Sequence, residues 1–322
     1  MLRRGVSALV ATAVLLPEAL GLARTPPWPI LIAFRRRLAL GAAVPALLAS
    51  RRRGWARGVL AVALSALALS LARHRSVSSA AMLALDDTDA APTTRPLTVL
   101  AANVWLGRAD PSALAAIIRS ERPDVVVLPE AGDRFRKRLL DVLEGYHGWS
   151  CAPFRVEVEA SGADDGPSLT MLVADGTGEV DVHPASVDTL SGWIGVDVGG
   201  VRVVGVHPAV LLPRRTPDWV REHALLRPLL ADPDRPTVVL GDLNATPEHG
   251  LPGRVLTAGA TGTWPASRPR WVGVTIDHVL ASGPVSARSV EVLDVPGSDH
   301  RAVLARLDIG TNSSANSMRT SE

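Results

Sequence analysis

The sequence predicts an α/β sandwich built on mixed sheets, preceded by N-terminal apolar helices. Two observations predict the sandwich: β-type runs outnumber helical segments, and several follow one another with no helix between them. A doubly wound parallel sheet needs a crossover after nearly every strand, so mixed sheets fit better. The third observation is a division of charge. Residues 1–75 hold 12 arginines against one acid, Glu18, whereas residues 76–322 hold 22 basic and 31 acidic residues. The net charge of +2 and the pI near 9.3 conceal that division. The usual step from a basic protein to nucleic acid fails here, because the basic part is also the apolar part. The single cysteine, Cys151, excludes an intrachain disulfide and a zinc site of several thiolates.

Residues 1–75 read as a membrane anchor of two or three transmembrane helices. Apolar stretches at 5–23, 38–49 and 58–72 lie between arginine clusters (Arg3 and Arg4; Arg35, Arg36 and Arg37; Arg51, Arg52 and Arg53; Arg57; Arg73). A spanning helix wants about 20 apolar residues, and snorkelling arginines extend the shorter stretches. A secretory cleavage after Ala23 accounts for the first stretch alone. A soluble helical hairpin is the competing reading, but no polar face alternates through 59–71. Three crossings, with the 51–57 loop on the cytoplasmic side, put the rest of the chain outside the cytoplasm, although Arg35, Arg36 and Arg37 then lie on the wrong side. Two crossings leave it inside. Residues 76–96, small and polar with two prolines, read as a linker, and 310–322 as a disordered tail.

In the remaining part, 97–309, a β-rich run (97–102) leads to Asp110-Pro111, an N-cap and first-turn proline opening a helix with Leu114, Ile117 and Ile118 on one face. A buried-type strand follows at 124–128, then a helix marked by Phe135, Leu139, Leu140 and Leu143. Strands are expected at 169–173, 179–187, 193–198 and 201–206. A helix from about 217 to 230 takes Thr216 as its cap. Further strands fall at 237–240, 276–281, 285–292 and 302–307.

The residues capable of chemistry fall at the ends of these strands. Asn103 ends LTVLAAN, Glu130 ends DVVVLPE and His207 ends VRVVGVH. Asp242 and Asn244 follow TVVL, while Asp277 and the Asp299-His300 pair precede apolar β runs. A lone Asp or Asn there is usually a turn-former. So many together describe a site held on a rigid sheet with loops around it. Asn103, Glu130, Asp242 and Asp299 supply oxygen donors, which suit a hard divalent cation, Mg2+ or Mn2+. His207 and His300 are candidates for proton transfer or for stabilising negative charge, and Asp277 for orienting one of them. The sequence has no Gly-rich phosphate loop, GxSxG elbow or catalytic-cysteine context. Metal-assisted attack of water on a phosphate ester is the simplest chemistry this set supports.

In order along the chain, Asn103-Val104-Trp105, Pro129-Glu130, His207, Gly241-Asp242-Leu243-Asn244, Ile276-Asp277-His278 and Ser298-Asp299-His300 resemble the motifs of the endonuclease/exonuclease/phosphatase superfamily, which has the deoxyribonuclease-I-like fold. The resemblance covers about 95–309. It implies a four-layer α/β sandwich with two central mixed sheets and divalent-metal hydrolysis of phosphoesters. By it, Asn103, Glu130 and Asp299 are metal ligands. Asp242 and Asn244 position water and hold the phosphate, His207 serves the leaving oxygen, and His300, oriented by Asp277, polarises the phosphate or acts as base. Pro129 stands where the family usually has glutamine. Pro208 follows the histidine, Trp105 replaces a polar residue of some nuclease branches, and the Ser-Arg segment many members carry has no clear counterpart near 168–175.

His147, His183, His223 and His249 lack such a context and read as surface or packing residues. His278 reads as structural, because neighbours on a strand face opposite ways. Trp193, Trp264 and Trp271 read as core or rim packing, and Cys151 as a buried thiol. The sequence-based expectation is a membrane-anchored, metal-dependent phosphoesterase whose catalytic domain, 97–309, is extracytoplasmic. Its substrate is a lipid head group, a small phosphoester or nucleic acid, and no protein partner is inferable. A nuclease is the alternative, and a catalytically silent anchored binding module is the rival of another class.

Overall fold

The computed structural model describes residues 2–83, 94–151, 165–178, 180–184, 189–257 and 262–310. Residues 84–93 of the expected linker, 311–322 of the expected tail, and the two ends of the expected 179–187 strand lie outside the described residues.

The N-terminal quarter forms α1 (Leu2–Leu15), α2 (Trp28–Ala33), α3 (Arg35–Ala49) and α4 (Gly54–Leu83). The first apolar stretch is not one helix. Proline at 17 cannot donate an N–H to a continuing helix, and the chain makes a 3-10 turn, Pro17–Leu20, closed by Gly21 at φ 70°. By contrast, α4 overruns its expected bounds, since neither proline nor glycine interrupts it after Gly58. Residues 76–83 of the expected linker are therefore helical, and 94–96 already belong to the first strand. α1 and α3 pack on α4 around Leu15, Ala39, Ala63 and Ala66, where the small alanines let the helices approach. Among the described helices one segment, Gly54–Ala72 in α4, is long and apolar enough to cross a membrane.

The rest alternates as β1 (Thr94–Ala101), α5 (Pro111–Glu121), β2 (Val125–Pro129), α6 (Asp133–Leu140), β3 (Tyr146–Cys151), β4 (Leu169–Ala174), β5 (Val180–Pro184), β6 (Ile194–Val198), β7 (Val201–Val206), α7 (Thr216–Leu229), β8 (Thr237–Asp242), β9 (Arg254–Val255), β10 (Asp277–Ser282), β11 (Val285–Asp294) and β12 (Arg301–Gly310). Two six-stranded mixed sheets result, ordered β11-β12-β1-β2-β4-β3 and β5-β6-β7-β8-β10-β9. Each contains one parallel pair, β1 with β2 and β7 with β8.

Three apolar clusters define four layers. Val99, Ala101, Val125 and Val127 of the first sheet meet Val203, Val238, Leu240 and Val279 of the second. Leu100, Val126 and Leu128 face α5 and α6 on the other side of the first sheet. Val204, Val239 and Leu280 face α7 on the other side of the second. The period of two thus sorts each strand between core and outer layer. The sheets meet closely at Gly205, where a Cβ would lie 2.9 Å from a Val127 methyl.

Asp110 caps α5 as expected, its Oδ1 accepting from the amides of Ser112 and Ala113. Thr216 does not cap α7. It is the first helical residue, and its hydroxyl donates to the Leu212 carbonyl. β3 and β9 were not expected from the sequence: the first is a polar edge strand, the second two residues long, and neither carries an apolar alternation.

Candidate active site

Strand direction gathers the polar residues. β1, β2, β7 and β8 end at the same edge of the sandwich at which the antiparallel β10 and β12 begin, as the pairing of Asp277 with Asp242 and of Ala101 with Val303 requires. Asn103, Glu130, His207 and Asp242 therefore follow strand ends while Asp277, Asp299 and His300 stand at strand starts, all at one rim. Asp242 and Asp277 also share the parity of the residues that fill the space between the sheets.

The side chains form one connected set. Asn103 Nδ2 donates to Glu130 Oε1 and to Asp242 Oδ2, each at 3.0 Å. His207 Nε2 lies 4.0 Å from Glu130 and 3.8 Å from Asp242. His300 Nδ1 bonds the Asp277 carboxylate at 3.0 Å, which leaves Nε2 3.7 Å from Asp242 and 3.9 Å from Asp299. Glu130, His207 and Asp242 offer ligand atoms within 4.8 Å of one another, and so do Asp242, Asp277 and His300. These are groups that could hold a metal ion.

Burial and like charge shape the electrostatics. Asp242 is driven above the usual carboxylate range by burial first and by the Asp277 carboxylate second, although His300 and His207 oppose the shift. Burial pushes His300 down, but Asp277, Asp242 and Asp299 outweigh it and hold the ring at about 10. Asp299 Oδ1 and His207 Nδ1 are buried and without hydrogen-bond partners among the described residues. A buried carboxylate oxygen in that state is costly unless a cation or donor meets it.

The backbone is bent to present these groups. Among the described non-glycine residues, positive φ occurs at Trp105, Leu106, Glu130 and Asn244, all at this rim, and elsewhere only at Arg122, the C-cap of α5. Such conformations are strained and persist because their surroundings hold them. Glu130 is held on both sides: its amide donates to Ser168, its carbonyl accepts from Gly107, and Oε2 accepts from Leu106. Gly241 takes φ 145°, and a Cβ there would fall 2.0 Å from the Val206 carbonyl, so the residue before Asp242 must be glycine.

The structure brings all eight expected site residues to the rim, with one difference. Asn103 was expected as an oxygen ligand, yet its Oδ1 accepts from the Trp105 amide and its nitrogen faces the carboxylates. In this arrangement it bridges Glu130 and Asp242, and ligation through oxygen requires the amide to turn over. Asn244 donates to the Pro208 carbonyl, and its own amide caps Asp242 Oδ1.

Four supporting residues were missed or undervalued. Trp264, read as packing, donates through Nε1 to Asp299 Oδ2 at 3.2 Å. Ser298 donates to the Asn103 carbonyl and accepts from the His300 amide, joining the end of β1 to the start of its neighbour β12; its place in the SDH run was the available signal. Thr263 accepts from the Asp277 amide. Glu222 of α7, buried, accepts from the amides of Leu190 and Ala209 and so fixes the loop after His207.

Apart from Trp264, and from His249 at the margin of the cavity, the residues set aside from the site stay outside it. His147 is exposed beside Asp175, and His183 pairs with Asp197. His223 and His249 are packed around Trp219. His278 is buried between Thr257 and the Ala245 carbonyl, facing away from Asp277. Trp193 is buried and Trp271 exposed. Cys151 is half-buried on β3 rather than fully enclosed, and burial still pushes its thiol up to about 11.

Comparison with known proteins agrees with this fold. Humanized D. rerio TDP2 carrying 14 mutations superposes with a TM-score of 0.52 at 14% identity, covering 66% of this chain and 98% of that one. D. rerio TDP2 complexed with a single-strand DNA product gives 0.50 at 16%, covering 66% and 98%. An endonuclease/exonuclease/phosphatase from Beutenbergia cavernae DSM 12333 gives 0.50 at 24%, covering 67% and 72%. At such identities the likeness is one of fold. No curated protein matches the chain. The sequence pattern of the endonuclease/exonuclease/phosphatase family matches residues 100–300, the stretch that includes every residue at the rim, and the chain belongs to that family.

Proposed function

We propose that this protein is a membrane-anchored phosphoesterase dependent on a divalent cation, hydrolysing phosphodiester or phosphomonoester bonds. Members of its family are hydrolases acting on phosphoesters and typically use divalent metals. The observation that carries the reading is the convergence of Asp277–His300, Asp242, Glu130 and His207 on one cavity of about 710 Å3.

The donor set fits a hard cation: two clustered carboxylates, Glu130 and Asp242, and a buried Asp299 oxygen lacking a donor. Glu130 and Asp299, with Asn103 once its amide turns over, would hold it, beside Asp242. Mg2+ or Mn2+ there would polarise the phosphoryl oxygen and offset its negative charge. The chain's own residues do the rest. Asp277 fixes the His300 ring so that Nε2 faces the cavity, where it donates to a phosphoryl oxygen or exchanges a proton with water. Asp242, its Oδ1 occupied by the Asn244 amide, presents Oδ2 to the attacking water once the Asn103 amide that donates to it turns over. His207 faces the same space from the second sheet and serves the leaving oxygen.

The test is hydrolysis of a generic phosphodiester and a generic phosphomonoester by the full chain, with Mg2+ and with excess chelator. Chelator should abolish turnover, and Glu130→Gln and Asp242→Asn should each lower it at least ~100-fold, the scale of losing one transition-state stabiliser. Full activity in chelator sinks the cation. No activity on any ester with Mg2+ or Mn2+ favours the silent binding module.

Membrane anchoring is supported by the apolar surface of the N-terminal helices, where Leu9, Val44, Leu47, Leu48 and Leu64 are exposed. The α3–α4 hairpin supports an orientation with the catalytic domain outside the cytoplasm. Its tip carries Arg51, Arg52 and Arg53, whereas Arg35 at the start of α3 and Ser70 in α4 bond Glu248 of the catalytic domain. From Arg53 to Ser70 is about 26 Å of helix, close to the ~30 Å of a hydrocarbon core. A cytoplasmic arginine tip then leaves the catalytic domain on the far side. Arg35 and Arg37, on the wrong side by charge alone, are occupied there: Arg35 by Glu18 and Glu248, Arg37 by the Gly273 carbonyl.

A further inference from the structure

We propose that α2 forms a wall of the catalytic cleft and selects phosphoesters bearing an aliphatic chain; this rests on the phosphoesterase reading above. The cavity that holds His300 and Asp242 is lined also by Ile30 and Phe34, which come from the N-terminal helices rather than the catalytic domain. Across it stand Leu106, Val210 and Leu212, all exposed, although each belongs to a loop that polar residues would suit equally well. Exposed apolar side chains gathered around a reacting centre mark a surface meant to be covered.

The wall is fastened. His249 Nε2 donates to the Pro29 carbonyl at 2.9 Å on one side of α2. On the other side Arg35, wholly buried, pairs with Glu18 and Glu248, and Arg37 donates to the Gly273 carbonyl. These bonds tie α2 to the turn after Asn244 and to the loop before Asp277. Among the described lining residues Arg215 is the only lysine or arginine, and it is already paired with Asp218 at 3.6 Å. A polyanion needs several such groups along its track. Beside the His300 ring at the reacting centre, the cleft offers this one arginine and an apolar floor, which matches a single phosphate ester with a hydrocarbon substituent.

Water attacks phosphorus, the P–O bond to the leaving group breaks, and that oxygen takes the proton; the substrate's aliphatic substituent contributes binding only. A buried methylene contributes about 0.8 kcal/mol, or roughly fourfold in affinity, so three seated methylenes give on the order of fifty-fold.

The test uses the full chain in lipid nanodiscs with methyl and octyl esters, each as the phosphate monoester and as the 4-nitrophenyl diester. The octyl ester should exceed its methyl partner at least tenfold in kcat/KM, chiefly through KM. Ile30→Ser with Phe34→Ser should bring the ratio toward one. Partition of the octyl chain into lipid would raise rates equally in the variant, so a ratio insensitive to these substitutions overturns the proposal. So does a ratio near one in the unaltered protein, which would leave the groove to a protein segment. Hydrolysis of no ester overturns the phosphoesterase reading itself, and this inference with it.

Discussion

Asp277 has no contact that a substrate could replace. It is fully buried, its carboxylate is spent on His300 Nδ1, and its amide rests on the Thr263 hydroxyl. It acts through the ring, by fixing the orientation in which Nε2 faces Asp242 and the cleft. Asp277→Asn should lower kcat about 10–100-fold, the usual cost of losing an orienting partner, with KM little changed. The unfolding midpoint should hold, because removing one charge from a pair of facing carboxylates relieves repulsion as well as breaking the ion pair. An unaltered kcat would mean that packing alone orients the imidazole. His278, its sequence neighbour, illustrates the opposite outcome. Strand parity turns it to the outer layer, where Thr257 and the Ala245 carbonyl satisfy both nitrogens.

The elements around α7 respond to acid. His223 on α7 and His249 on the 3-10 turn Pro247–His249 after β8 pack at 4.2 and 5.0 Å from the Trp219 ring. Burial pushes both imidazoles down to about 4 from an ordinary 6.5. Between those values the unfolded chain binds more protons than the folded one, so stability is full above pH 6.5 and is lost as pH falls toward 4. Urea midpoints measured from pH 7 to 4.5 should fall steadily over this window. The carboxylates held low by arginines, Asp133, Asp197 and Asp294, lose their contribution only below it. A flat midpoint down to pH 4.5 would mean that the junction opens or accommodates the charged rings. Glu222 holds the same helix to the loop after His207, so α7 is both a stability element and a support of the site.

At the scale of the molecule, two units of opposite character are joined by polar contacts. The arginine-rich helices bond the acidic catalytic domain through Arg35–Glu248, Ser70–Glu248 and His249–Pro29. If the hairpin spans the bilayer with its arginine tip inside, a periplasmic-type phosphatase reporter fused after Arg95 should be active and a fluorescent reporter there dark. The reverse pattern would put the catalytic domain in the cytoplasm. In the basic run at 134–138, Arg136 and Arg138 are turned into the fold rather than toward a polyanion. Arg136 bonds Asp133 and the Gly148 carbonyl, and Arg138 bonds the Gly107 carbonyl while lying over the Phe135 ring. These cations are engaged in holding α6 to the first sheet.

What the sequence determined by itself was whatever repeats locally. Short β-rich apolar runs placed ten of the twelve strands, the alternation of strand faces told Asp277 from His278, and the Asp110-Pro111 pair marked the start of α5. A run of polar residues directly beside apolar β segments announced the rim, since strand ends are visible in composition. Only the tertiary structure decided which of those residues meet. That Asn103 turns its nitrogen to Glu130 and Asp242, that Trp264 donates to Asp299, and that α2 walls the cleft depend on partners far apart along the chain. Such contacts leave no periodic trace, because each is one hydrogen bond or one apolar patch chosen by the packing of two sheets rather than by neighbouring residues. β3 was hidden for the same reason: an edge strand paired on one side needs no apolar alternation, so nothing in its own residues distinguishes it from a loop.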